Sequence, residues 1–215
     1  LTTGGAVLEM WMAWLGRRRG PTVSEDGGRR VRWELEEWRG SGKSGKWEPL
    51  GGLVIQLRAG EPVADALWAL SGPAGAVDGA LRGHRLQGSH LDAVLDDSGL
   101  VLGGDLGGQD GAGGRGDWPK GTGRLTAADL AAPGTLAVGG LRDGPLRDRL
   151  SALFLICRRA LPADALGESV PVGRVVEGLA VLDALQGHPV SGLPLRPVRI
   201  ARTSHIHPTN HHHHQ

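Results

Sequence analysis

Val31, Trp33 and Leu35 alternate with Arg32, Glu34 and Glu36, the period of two expected of a strand with one buried face. Leu53, Ile55 and Leu57 repeat the alternation after a glycine-rich stretch, so the two runs predict a hairpin with a long loop. The period then changes. Pro62 suits a first helical turn, and Val63, Ala66, Leu67 and Leu70 form an apolar stripe that ends at Gly72. Residues 73–133 are rich in Gly and Asp, with short apolar pieces such as Leu100-Val101-Leu102, and predict mostly loop. Residues 136–138, 152–157, 172–176 and 197–201 read as short strands. Leu179, Leu182 and Leu185 share a helical face stopped by Gly187. Many short strands with two helices predict a β-barrel or sandwich with capping helices.

Residues 1–28 follow another rule. Leu8, Trp11, Trp14 and Leu15 fall on one helical face, and Arg17-Arg18-Arg19 follow where cations suit a helix C-terminus. A secretory signal carries its charge ahead of the apolar run, so the order argues against one. An apolar face with two Trp predicts a helix that docks on protein, with a membrane-surface helix as the alternative. Residues 22–28 read as a polar linker. The chain opens on Leu1 rather than Met, which reads as a fragment or a processed product. His211 to His214 form a terminal tract, a tag or a natural run, with no part in the functional reading.

Composition narrows the classes. The 215 residues carry 24 basic and 23 acidic side chains, a formal charge of +1, so no global field favours nucleic acid or an anionic membrane. Nothing approaches the roughly 18 consecutive apolar residues of a membrane span. Cys157 is the one cysteine, which excludes a disulfide framework and a cysteine zinc site and favours an intracellular, cytoplasmic setting. Seven Trp, one Phe and no Tyr mean that the core must be aliphatic.

Most motif-like strings do not meet the requirements of their chemistry. Gly40-Ser41-Gly42-Lys43-Ser44 has Glu37 where a phosphate-binding loop needs its leading glycine, and a strand rather than a helix follows, so a solvated hairpin tip is expected. Gly111-Ala112-Gly113-Gly114-Arg115-Gly116 spells the dinucleotide pattern, but Asp117-Trp118-Pro119 cannot open the helix it requires. Arg115-Gly116-Asp117 is an isolated adhesion-type triplet. His205 and His207 alternate on an extended tail, where a metal would need further ligands. Glu36-Glu37 and Asp96-Asp97 are sequence neighbours, which a strand turns to opposite faces and so away from joint acid–base work. No cofactor and no metal are expected.

The run Gly173-Arg174-Val175-Val176-Glu177-Gly178-Leu179-Ala180-Val181-Leu182-Asp183-Ala184-Leu185 closely resembles the strand and second helix of the cyclophilins. Other signposts of that family follow in order: Glu48-Pro49-Leu50-Gly51, Pro62 opening a helix that ends near Leu70-Ser71, His84-Arg85, and Gly103-Gly104-Asp105. Next come Gly111-Ala112-Gly113-Gly114-Arg115, Pro133-Gly134-Thr135-Leu136, Phe154-Leu155-Ile156-Cys157 and Pro197-Val198-Arg199-Ile200-Ala201. Together they cover about residues 30–203. The resemblance implies an eight-stranded antiparallel β-barrel capped by two helices. Around it the chain divides into an N-terminal helical extension and linker (1–28), a cyclophilin-like domain (29–204) and a His-rich tail (205–215).

Cyclophilins isomerise the bond before proline, and the resemblance implies where that site would lie. Arg85 falls at the family's catalytic arginine. The pocket positions fall at Leu100, Leu102, Gly111, Gly139, Gly140, Leu153, Leu155 and Ser169. Where the family has glutamine, phenylalanine, asparagine and histidine, this chain mostly has leucine and glycine. The segment from Leu86 to Leu102 is also about nine residues longer than the family's, with residues 90–96 where a short turn belongs. The expectation is therefore a cyclophilin-like domain used for protein binding or assembly, with weak or no isomerase activity, its partner a proline-containing peptide or an assembly protein. The alternative is an active isomerase that uses Arg85 in a leucine-lined pocket.

Overall fold

The computed structural model describes residues 28–77, 81–104, 119–139, 154–162, 164–167, 169–189 and 193–207. The predicted N-terminal helix and linker, apart from Gly28, lie outside the described residues, as does His211 to His214. The elements run β1 (Arg30–Arg39), β2 (Lys46–Leu57), α1 (Pro62–Leu70), β3 (Leu91–Leu95), β4 (Leu100–Gly103) and α2 (Ala127–Leu130). They continue with β5 (Thr135–Val138), β6 (Phe154–Cys157), β7 (Val170–Glu177), α3 (Leu179–Asp183) and β8 (Val198–Ile206). The architecture is mainly β: one antiparallel sheet in the order β3-β4-β6-β5-β7-β2-β1-β8.

The sheet curls into a half-barrel, with the segment ahead of β3 brought back to β8. Gly88 N–H donates to the Ile200 carbonyl at 2.7 Å, Ile200 N–H donates to the Ser89 carbonyl at 2.8 Å, and His90 bridges to Arg199. The segment ahead of β3 is thereby hydrogen-bonded to β8, which covers backbone groups that an open edge would leave unpaired.

The alternating runs behave as their pattern predicts. Val31, Trp33 and Leu35 in β1 and Leu53, Ile55 and Leu57 in β2 all turn into the core. The connection between these strands is only residues 40–45, shorter than expected, because pairing continues to Trp38 opposite Trp47 and Arg39 opposite Lys46. The string at 40–44 forms an exposed hairpin tip containing a single 3-10 turn. Trp33 is fully buried, donates its indole N–H to Ser71 Oγ at 3.2 Å, and packs against Phe154 with ring centroids 5.0 Å apart. In α1, Glu61 caps the N-terminus and Pro62 occupies the first turn, where its missing N–H costs nothing.

Among the described residues, 73–133 are mostly loop as expected, broken by the β3–β4 hairpin and the short α2. Two expectations need correction. The helix after Gly178 ends at Asp183 rather than beside Gly187, though Leu182 and Leu185 still enter the core. The final strand does not stop near residue 201. It runs on through His205 and Ile206, which pair with Val31 and Arg30, so His205 belongs to the sheet and not to a loose tail. Its ring stacks on Trp68 of α1, centroids 3.6 Å apart, with Nε2 2.8 Å from the Trp68 carbonyl oxygen.

Candidate functional site

Side chains in β4, β5 and β6 alternate between two apolar layers instead of between core and water. Val101, Leu136, Val138, Phe154 and Ile156 point into the main core. Leu100, Leu102, Ala137, Leu155 and Cys157 point the other way and, with Ala93 of β3, build a second cluster on the outer face. Strand register brings them together: Leu102 faces Leu155, Ala93 faces Leu102, Ala137 faces Leu155, and Leu100 faces Cys157.

This face is covered by the chain itself. Leu130 of α2 and Leu166 of the turn after β6 are buried in it, while Leu125, Leu161 and Ala165 lie half-buried against it. As a result Leu100, Leu102 and Leu155 are only 3%, 1% and 1% exposed. Burial pushes the Cys157 thiol up to about 12, with Arg174 opposing weakly, so that sulfur is held as a neutral thiol.

Polar bonds fix the cover in place. Thr126 and Asp129 form a reciprocal capping box at the start of α2. Arg58 donates to Asp129 Oδ1 at 2.7 Å, and Arg174 donates to the Asp129 carbonyl at 3.0 Å and the Pro133 carbonyl at 3.1 Å. Leu161 N–H donates to the Leu130 carbonyl at 2.8 Å, joining the two covering pieces. Upstream, Glu61 is 2% exposed and accepts from Thr122 N–H at 3.0 Å, Thr122 O–H at 3.0 Å and Gly123 N–H at 2.7 Å. Burial raises the Glu61 pKa, but these donors together with Val63 N–H hold it below the ordinary glutamate value.

Of the residues singled out from sequence, Leu100, Leu102 and Leu155 converge on this one face. Gly139 and Ser169 are neighbours at the adjoining ends of β5 and β7, where a methyl on Gly139 would sit 3.0 Å from Ser169 Cα. Ser169 is buried and gives its hydroxyl to the Leu166 carbonyl at 2.8 Å, so it secures the cover. Arg85 is exposed in the loop between α1 and β3, with no hydrogen bond or ion pair to any described residue. That loop is pinned by backbone bonds from Ala76 N–H to the His84 carbonyl and from Leu86 N–H to the Leu70 carbonyl. The residue that faces Leu102 across β3 is Ala93, which has no charge. Gly111, Gly140 and Leu153 lie outside the described residues.

Sequence reasoning missed the cover and its anchors: Glu61, Arg58, Asp129 and Leu130. A signal for two-sided burial was present, since Leu100-Val101-Leu102 and Phe154-Leu155-Ile156-Cys157 are unbroken apolar runs where a strand facing water would alternate. Glu36 and Glu37 do turn to different partners, Glu36 to Arg199 at 2.7 Å and Glu37 to Arg39 and Arg196. Among the described residues no three His, Cys, Asp or Glu side chains gather as a metal site, and no helix is long and apolar enough to cross a membrane. No protein-family model matches the chain, and a search of curated proteins finds no relative.

Proposed function

We propose that the chain carries a cyclophilin-like domain that serves as a protein-binding or assembly module, with weak or no prolyl isomerase activity. One observation carries the reading: the outer face bearing Leu100, Leu102 and Leu155 is already filled by the chain's own Leu130 and Leu166.

Isomerising a prolyl bond means twisting an amide whose resonance barrier is about 18–20 kcal/mol. Lowering it without a covalent step calls for a dry, open pocket for the proline ring and a fixed cation beside the prolyl group as conjugation is lost. Here leucines occupy several of the pocket positions, and the candidate cation, Arg85, extends from a surface loop with no partner among the described residues to aim it. A solvated, unanchored guanidinium stabilises little, because its charge is screened and ordering it costs side-chain entropy.

The test is acceleration of cis–trans isomerisation in an Ala-Pro peptide. Wild type and Arg85→Ala are expected to match the uncatalysed rate. Acceleration that Arg85→Ala abolishes would replace this reading with the enzymatic one. The assembly half of the proposal assigns docking to residues 1–20, whose removal is expected to shift the chain from complex-sized to monomer-sized fractions of a cell extract. Unchanged elution overturns that assignment.

A further inference from the structure

We propose that residues 119–130 form a displaceable cover, latched by Glu61, over an apolar docking face for an aliphatic peptide, so that the chain occludes its own binding surface. The proposal rests on the binding-module reading above and names the surface it would use.

The apolar face beneath the cover is ready-made. Ala93, Leu100, Leu102, Ala137, Leu155 and Cys157 come from four hydrogen-bonded strands, so their arrangement is set by the sheet and does not depend on what covers them. The face presents hydrocarbon and one neutral thiol, which gives a charged or strongly polar ligand nothing to pair with. The present occupant shows what does fit: Leu125 and Leu130, five residues apart around a capped helical turn of four residues. A peptide of the same chemistry competes for the same holes.

The attachment of the cover differs from that of the face. Residues 119–126 belong to no strand, and Pro119, Lys120, Thr122, Arg124 and Thr126 are exposed. Among the described residues their upstream hold is Glu61, which gathers two backbone N–H groups and one hydroxyl from Thr122 and Gly123, some 61 residues away in sequence. The approach is close, since a methyl on Gly123 would lie 3.1 Å from Glu61 Oε2. Bonds from N–H to a buried carboxylate are stronger than neutral ones, so one side chain accounts for much of the closing force at that end. Downstream, Arg58 and Arg174 hold Asp129. Such an element opens locally without unfolding the sheet beneath it.

Native-state hydrogen exchange on the full wild-type chain tests the hinge. The amides of Thr122, Gly123 and Leu130 are expected to exchange through a shared opening at least about tenfold more frequent than the unfolding that releases Trp33 and Ile55. Exchange of all five only through global unfolding overturns the proposal, and this arm needs no variant. Glu61→Gln removes the charge from the latch and leaves one amide N–H₂ aimed at donors. Opening is then expected to rise roughly tenfold, the factor of a single charge-assisted hydrogen bond, with faster trypsin cleavage after Lys120 and Arg124. A labelled peptide of residues 122–131, added in trans, is expected to bind Glu61→Gln roughly tenfold more tightly than wild type, because apparent affinity scales with the open fraction. Equal binding to both proteins, or to neither, overturns the docking face. Failure of the module reading would register separately, as isomerase activity, which none of these measurements detects.

Discussion

Leu102→Gln tests the filled face at the position where the cyclophilins, which the sequence resembles, carry glutamine. The new side chain has nearly the volume of the old one, so its cost measures polarity and not a cavity. Leu102 is 1% exposed. Forfeiting the burial of a leucine costs about 1.5–3 kcal/mol. Among the buried side chains of its cluster, the amide that replaces it finds Ala93, Leu100, Leu130, Ala137, Leu155, Leu166 and the Cys157 thiol, none a useful partner. Burying an unpaired amide adds about 1–3 kcal/mol, for a total of about 2.5–6 kcal/mol, about 4 at the middle. With a urea m-value of about 2 kcal/mol/M, the unfolding midpoint by near-ultraviolet circular dichroism falls by about 2 M. Leu195→Gln, at a side chain 54% exposed, is the control and should stay within about 0.5 kcal/mol of wild type. A cost below about 1 kcal/mol for Leu102→Gln would mean that water reaches the face, and the argument against an open proline pocket would fall with it.

Cys157, with its thiol pushed up to about 12 by burial, is expected to resist an aromatic disulfide reagent at pH 8 and to react only as the chain unfolds in urea; rapid labelling of the native protein contradicts the packing of β6. The lowered pKa of Glu61 makes its carboxylate a source of stability that is fully present above the unfolded value of about 4.5 and lost as pH falls through the lower folded value. Glu61→Gln should therefore be less stable at neutral pH and show a shallower acid limb in stability–pH curves; an unchanged slope refutes the assignment. Gly178 caps α3 at φ +91°, and a methyl there would overlap the Gly52 carbonyl oxygen of β2. Gly178→Ala is expected to cost about 2 kcal/mol or more in thermal or urea unfolding, combining left-handed strain with a backbone clash. Ser71→Ala leaves the buried Trp33 indole N–H without an acceptor and is expected to cost about 1–3 kcal/mol.

Alternation in β1 and β2, Pro62 at the head of α1, and the short apolar strands were legible because each is set within a few residues by side-chain parity or backbone preference. Leu100, Leu102 and Leu155 share one face through side-chain parity in β4 and the pairing of Leu102 with Leu155. Misread were the features that depend on partners distant in sequence. β3, with one acid among its five residues, becomes a strand by pairing with β4, which is itself held by β6 more than fifty residues on. The extension of β8 through His205 depends on β1 and on Trp68, more than a hundred residues away.

The sequence alone determined that this chain builds a mainly β, aliphatic-cored fold and lacks the polar groups that the resemblance would require around a proline ring. Tertiary structure decided what the leucines do instead. Their strands bury both faces, one against Trp33 and Phe154 and the other beneath Leu130 and Leu166, and Glu61, Arg58 and Arg174 help to fix the covering segment from remote points in the chain. Local pattern specifies which residues seek cover. Long-range hydrogen bonds and packing specify what covers them, because that choice depends on how distant segments meet in three dimensions.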